Sequence, residues 1–190
     1  MGLWGASDSD ESKPKNLTTA EKKEVFANAS GWVREAGSAL TGNDNTSADP
    51  EVLVAIGGLA VSIGAADITE IEFVTTAFDK SDGGNIDVLV RFNEPVDVTG
   101  TPQFLITNNT SSSRNITANY LSGTGTNELT FRKTIAANNA ATNANDVLKV
   151  VANPVSLNSG TIKDAGTNTA STITSAVAIG TAAGTLTVAA

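Results

Sequence analysis

The chain has 190 residues, neither cysteine nor histidine, and a formal charge of −8. Lack of cysteine excludes a disulfide framework, a thiolate zinc site and a cysteine nucleophile. Lack of histidine excludes a Ser-His-Asp triad, a haem ligand and a near-neutral imidazole base, and the net acidity argues against nucleic-acid binding through basic charge. With 40% hydrophobic and only 5% aromatic residues, the composition reads as a soluble, non-enzymatic β protein with no cofactor. Charge is uneven: residues 1–97 sum to −10 and residues 98–190 to +2.

Met1 to Glu11 lacks a basic start and an apolar stretch, so no cleavable signal is expected, and synthesis in a cytoplasm is. The longest apolar run, Val52 to Ala66, is broken by Gly57, Gly58, Ser62 and Gly64, too short for a membrane span. Residues 1–66 read as an anchoring arm. Thr18-Thr19-Ala20-Glu21 has the spacing of a capping box, which predicts a short helix at about 19–27. Strands are expected at about 31–36 and 51–56, forming a hairpin around the turn-rich block 41–50. A lone hairpin is marginal in water, so it needs a neighbour.

Residues 67–179 carry a stronger period-2 pattern. Strands are predicted at 68–75, 86–92, 103–107, 116–121, 128–135, 147–151 and 172–179, separated by Gly-, Asn- and Pro-containing turns. This pattern predicts an all-β, antiparallel two-sheet sandwich. Residues 180–190 read as a tail with one possible short strand at 185–189.

The arm's candidate partner-binding residues are Leu3, Trp4, Leu17, Trp32 and Arg34. Both tryptophans of the chain lie there, and Trp suits an interface anchor because it buries a large apolar area and keeps one donor. Glu70 and Glu72 share one strand face, but no aromatic cleft surrounds them, and an exposed strand face explains the pair better than glycosidase chemistry. Asp79 to Asn85 and Asn43 to Asn45 lack the ligand spacing of a calcium loop and read as turns. No metal ligand is assigned. Arg114, Arg132 and Lys133 are possible surface-binding residues on the more basic half.

Two resemblances follow. Asn85 to Val96, Val98 to Gln103, Tyr120 to Phe131 and Leu157 to Thr167 resemble, in order, the immunoglobulin-like repeats of large bacterial cell-surface and swimming-motility-type proteins. The match spans about 110 residues and implies an immunoglobulin-like sandwich. Met1 to Gly5, Ser9 to Lys15, Ala27 to Arg34 and Glu51 to Leu59 resemble virion structural proteins of tailed phages of marine cyanobacteria. Together they imply a capsid decoration protein in the virion. Its arm would dock on the major capsid protein or another virion protein, and it would self-associate as a dimer or trimer, without nucleic acid or membrane. The alternative is an adhesion or carbohydrate-binding module on a phage fibre or bacterial surface.

Overall fold

A computed structural model describes residues 14, 16–38, 40, 42 and 44–190; Leu3 and Trp4 lie outside them. The fold is all-β, with a short N-terminal helix and hairpin ahead of a larger antiparallel body.

The arm opens with helix α1 (Thr19–Lys23). Both halves of the capping box form: the Glu21 N–H donates to Thr18 Oγ1 at 3.2 Å, and the Thr18 N–H donates to Glu21 Oε2 at 2.8 Å. The helix stops four residues short of the expected end. Val25, Phe26 and Ala27 are consecutive buried residues with two β-forming side chains among them, and they enter strand β1 (Val25–Asn28) instead. Strand β2 (Gly31–Arg34) pairs antiparallel with β1 and, on its other edge, with β3 (Glu51–Ala55), in the order β1-β2-β3. The expected pairing of the 31–36 and 51–56 segments is therefore present, with β1 added to it.

The arm is not merely extended: it has an apolar core of its own. Val25, Ala27, Trp32 and Leu59 are buried together, with Leu17, Leu53, Val54, Ile56 and Ile63 packed around them. A 3-10 turn at Leu59–Val61 closes this cluster from below the sheet. Burying a side chain of Trp size is among the largest single contributions available to so small a unit.

The body contains β4 (Ile68–Phe73), β5 (Phe78–Asp79), β6 (Gly84–Thr99), β7 (Gln103–Asn108), β8 (Ile116–Ser122), β9 (Thr126–Ile135), β10 (Val147–Lys149), β11 (Val155–Ser156), β12 (Thr161–Asp164) and β13 (Thr185–Ala189). They form one hydrogen-bonded path, β12-β6-β9-β8-β7-β10-β13-β5, with β11 added on β7 and β4 on β6. All pairings are antiparallel except β13 with β5. Inward side chains from every part of this path, from Ile68 to Val188, join a single apolar cluster.

The longest member is β6, 16 residues long, and it pairs with β4, β9 and β12. Its first part lies between β4 and β9, and its last four residues pair with β12 after a register shift between Arg91 and Val96. A strand that changes partners at an irregularity is how one sheet of a sandwich is led into the other.

One expectation near the C-terminus is corrected. Residues 172–179 do not form a strand; Val177–Ala182 is a short helix, α2, on a run of Ala and other small residues that places no alternating pattern against the core. The short strand expected at 185–189 is present as β13 (Thr185–Ala189). Leu186 and Val188 are buried in the main cluster, and β13 is hydrogen-bonded to both β10 and β5.

Candidate functional site: the seam between arm and body

The arm meets the body through charge. Arg91, inside β6, is the hub: its Nη1 donates to Glu72 Oε2 at 2.7 Å and Glu70 Oε2 at 3.2 Å, and its Nε to Glu128 Oε1 at 2.6 Å. Glu35, which follows β2 in the arm, stands 3.8 Å from the same Nε and accepts a hydrogen bond from Asn127 Nδ2 at 3.1 Å. From α1, Lys23 pairs with Glu70. One arginine and one lysine thus face four carboxylates across the seam.

That imbalance appears in the protonation of the group least compensated. Burial, then the neighbouring Glu128 charge, pushes the Glu35 carboxyl up to about 7. The Arg91 guanidinium loses hydration on burial, but Glu128, Glu72 and Glu35 more than offset this and hold it charged. A cleft of about 470 Å³ opens beside the network, walled by Phe26, Glu35, Pro50, Pro95, Asn127 and Glu128. On the α1 side, Lys22, Lys23, Thr69, Glu70, Ile179 and Ala182 line a smaller groove of about 390 Å³.

A second acidic group lies in the body below the arm. Glu94 is completely buried, and neither carboxylate oxygen has a hydrogen-bond partner. Burial, then the charges of Asp164 and Asp67, pushes its carboxyl up to about 8. Asp164 is also buried; its Oδ1 accepts from the Gly166 and Thr167 N–H groups at 2.6 and 3.0 Å, while Oδ2 has no partner. Among the described residues, no three acidic side chains converge closely enough to make a metal cage by themselves.

The structure separates the expected site residues. Trp32 is buried in the arm's own core, with none of its surface exposed, and so is not presented to a partner. Leu17 packs against that same cluster. Arg34 is buried, with Nη2 3.3 Å from Glu21 Oε1 and Nη1 3.8 Å from Glu51 Oε2. Arg114 and Arg132 are not free surface cations: Arg114 grips Asp146 through two hydrogen bonds of 2.8 and 2.5 Å, and Arg132 grips Asp87 through two of 2.7 and 2.6 Å. Lys133 is half-buried opposite Ile86. The two arginines therefore belong to separate ion pairs and not to one basic patch.

Glu70 and Glu72 belong to the Arg91 network, which accounts for the pair without chemistry. Asp79 is a turn residue, its Oδ1 accepting from Ser81 N–H at 2.7 Å and Ser81 Oγ–H at 2.6 Å. Asn45 does the same for Ser47 N–H at 3.1 Å; Asn43 lies outside the described residues. Sequence reasoning passed over Glu94, although a signal was there. Ile86, Val88, Val90, Phe92 and Val96 are all buried at even positions of β6, and Glu94 stands in the same phase.

Among the described residues no helix is long and apolar enough to cross a membrane. Searches of family profiles, curated proteins and solved structures return no match to the chain.

Proposed function

We propose that the chain is a structural protein of a phage particle, most naturally a capsid decoration protein. The first third docks on a coat or other virion protein, stabilising the lattice, and the body is displayed outward as one immunoglobulin-like domain. The observation that carries this reading is the outer edge of the arm sheet. Among the described residues strand β3 is hydrogen-bonded only to β2, and it exposes Val52 (48% exposed) at the edge of the sheet. Unpaired edges template strand addition by another chain. Leu40 and Val61, both in the same third of the chain, add exposed apolar surface. Repetition on a lattice would multiply a weak contact of this kind, and the same edge suits self-association about a symmetry axis.

Support for the alternative, a sugar-binding adhesion module, is weaker. Its aromatic platform would have to come from the body, where Tyr120 is engaged: the ring packs edge-on against Phe131, and the hydroxyl accepts from Thr124 N–H at 2.8 Å. The test is to label purified virions with an antibody against the chain and image them. Regular labelling of the particle at symmetry-related positions is expected. Antigen found only in the host envelope or in the free fraction would reject the virion role.

A further inference from the structure

We propose that Glu94 and Asp164 together bind a calcium ion beneath the junction of arm and body. The geometry begins with register. Asp164 of β12 is the direct cross-strand partner of Val96 in β6, and Val96 faces the core. Directly opposed residues share a face, and so do residues two apart on one strand. Glu94 lies two residues before Val96 and is fully buried on β6, close enough to Asp164 for the two carboxyl groups to interact.

Both side chains are at most 1% exposed, and together they leave three oxygens unpartnered: Glu94 Oε1, Glu94 Oε2 and Asp164 Oδ2. Burying a carboxylate without a partner is costly, and natural proteins almost never leave such groups unsatisfied unless an ion or water is bound. No lysine or arginine among the described residues forms an ion pair with Glu94, Asp164 or Asp67. Among the described residues, these carboxyl groups have no counter-ion. A single proton shared between Glu94 and Asp164 would satisfy two of the three oxygens; a divalent cation satisfies all three and neutralises both charges.

The surroundings favour calcium over a smaller ion. Calcium accepts six to eight oxygens in irregular geometry, from carboxylates, backbone carbonyls and water, whereas magnesium demands a near-ideal octahedron. Two carboxylates supply three oxygens of such a shell, and the remainder would come from water and backbone carbonyls. The Asp164 turn lies directly against the arm: a Cβ added at Gly166 would stand 3.0 Å from the Ala60 carbonyl oxygen and 3.2 Å from Asp164 Oδ1. Asp67, at the exit of the arm, is fastened beside the site, its N–H donating to Asn93 Oδ1 at 2.7 Å and its carbonyl accepting from Asn93 N–H at 3.0 Å. An ion here would rigidify the connection between the two units.

The test uses the full chain stripped with a chelator at pH 8. Calcium chloride is titrated in by calorimetry, and thermal unfolding is followed with and without it. One equivalent of calcium is expected to bind, and the melting temperature is expected to rise with calcium concentration as ligand linkage requires. Magnesium chloride at the same concentration is expected to produce less than a tenth of the affinity. Glu94→Gln and Asp164→Asn are expected to weaken calcium binding at least tenfold while leaving the far-UV circular dichroism in place. Asp164→Asn keeps an oxygen for the Gly166 and Thr167 N–H groups, so it remains informative should Glu94→Gln fail to fold. Absence of saturable binding by the wild type, equal binding by folded variants, or an equal response to magnesium would each overturn the proposal. So would a Glu94→Gln variant that is more stable than wild type while calcium has no effect on either, the result for a buried neutral acid alone.

Discussion

Glu35 of the arm and Glu128 of the body face the same guanidinium, Arg91, at 3.8 and 2.6 Å. Two like charges on one cation cannot both be fully compensated, and the more weakly held one titrates near neutrality. Glu70, Glu72 and Lys23 complete the charges around Arg91, so the seam between arm and body senses pH through Glu35.

The sign of that effect follows from linkage. The Glu35 carboxyl titrates at about 7 in the folded chain against an ordinary value of 4.5, so between those values the folded state binds the extra proton. Its contribution is fully present below pH 4.5, decays as pH rises towards 7, and is lost above it. Glu35→Gln, a permanent mimic of the protonated form, is expected to match wild type near pH 4.5. At pH 8 it is expected to exceed wild type by on the order of 1 to 3 kcal/mol, allowing for partial solvent screening. Urea unfolding of both proteins across this range measures the difference. A gap that is independent of pH would mean that Glu35 does not carry it.

Arg114 is expected to matter for stability and not for binding. Its partner Asp146 is fully buried, also accepts from Asn143 N–H at 2.8 Å, and is held at about 2, chiefly by the Arg114 hydrogen bonds. Arg114→Ala leaves a buried carboxylate without its cation and is expected to destabilise the chain. The double variant with Asp146→Ala should recover much of that loss, because removing both partners avoids the orphaned charge. A double-mutant cycle by denaturant unfolding checks this. The Asp146 contribution is present above its ordinary value of 3.8 and disappears as pH falls through about 2.

The legible part of the fold was the part written in alternation. Strands such as Ile68–Phe73 and Thr126–Ile135 are long enough for period 2 to show, and the capping box marked α1 from four residues. The two-residue strands β5 and β11 contain no period at all; they exist because neighbours supply hydrogen bonds. The run 172–179 reads as a strand because its apolar residues alternate locally, while its last three residues open a helix that sets Gly180 against the Val150 carbonyl. Charged site residues were harder still. Arg114 and Asp146 are 32 residues apart, and Arg132 and Asp87 are 45 apart, so a basic patch in sequence was in fact a set of pairs that only the register could reveal.

Trp32 is expected to behave as a core residue. It is fully buried among Val25, Ala27 and Leu59, so Trp32→Ala should destabilise the isolated chain by about 3 to 5 kcal/mol through lost transfer energy and a cavity that the small arm core refills only in part. An anchor residue would instead leave the isolated chain unchanged and weaken attachment alone. Thermal unfolding of the purified variant, with no partner present, separates the two behaviours.

Gly31→Ala provides the sharpest test of whether arm and body fold as separate units. Gly31 has φ of +133°, and a Cβ there would lie 2.0 Å from the Val54 carbonyl oxygen and 2.5 Å from the Ile56 nitrogen, both backbone atoms of the neighbouring strand segment. The clash cannot be relieved by a rotamer change, so β2 and β3 must separate, at a cost of at least about 2 kcal/mol. Both tryptophans of the chain lie within residues 1–66, so Trp emission reports on the arm while far-UV circular dichroism is dominated by the body. The arm's own core and the polar character of the seam predict that Gly31→Ala shifts Trp emission to the red while most of the β signal persists. Loss of both signals in a single transition would show that the Arg91 network and the Asp67 to Asn93 hydrogen bonds couple the two units into one cooperative fold.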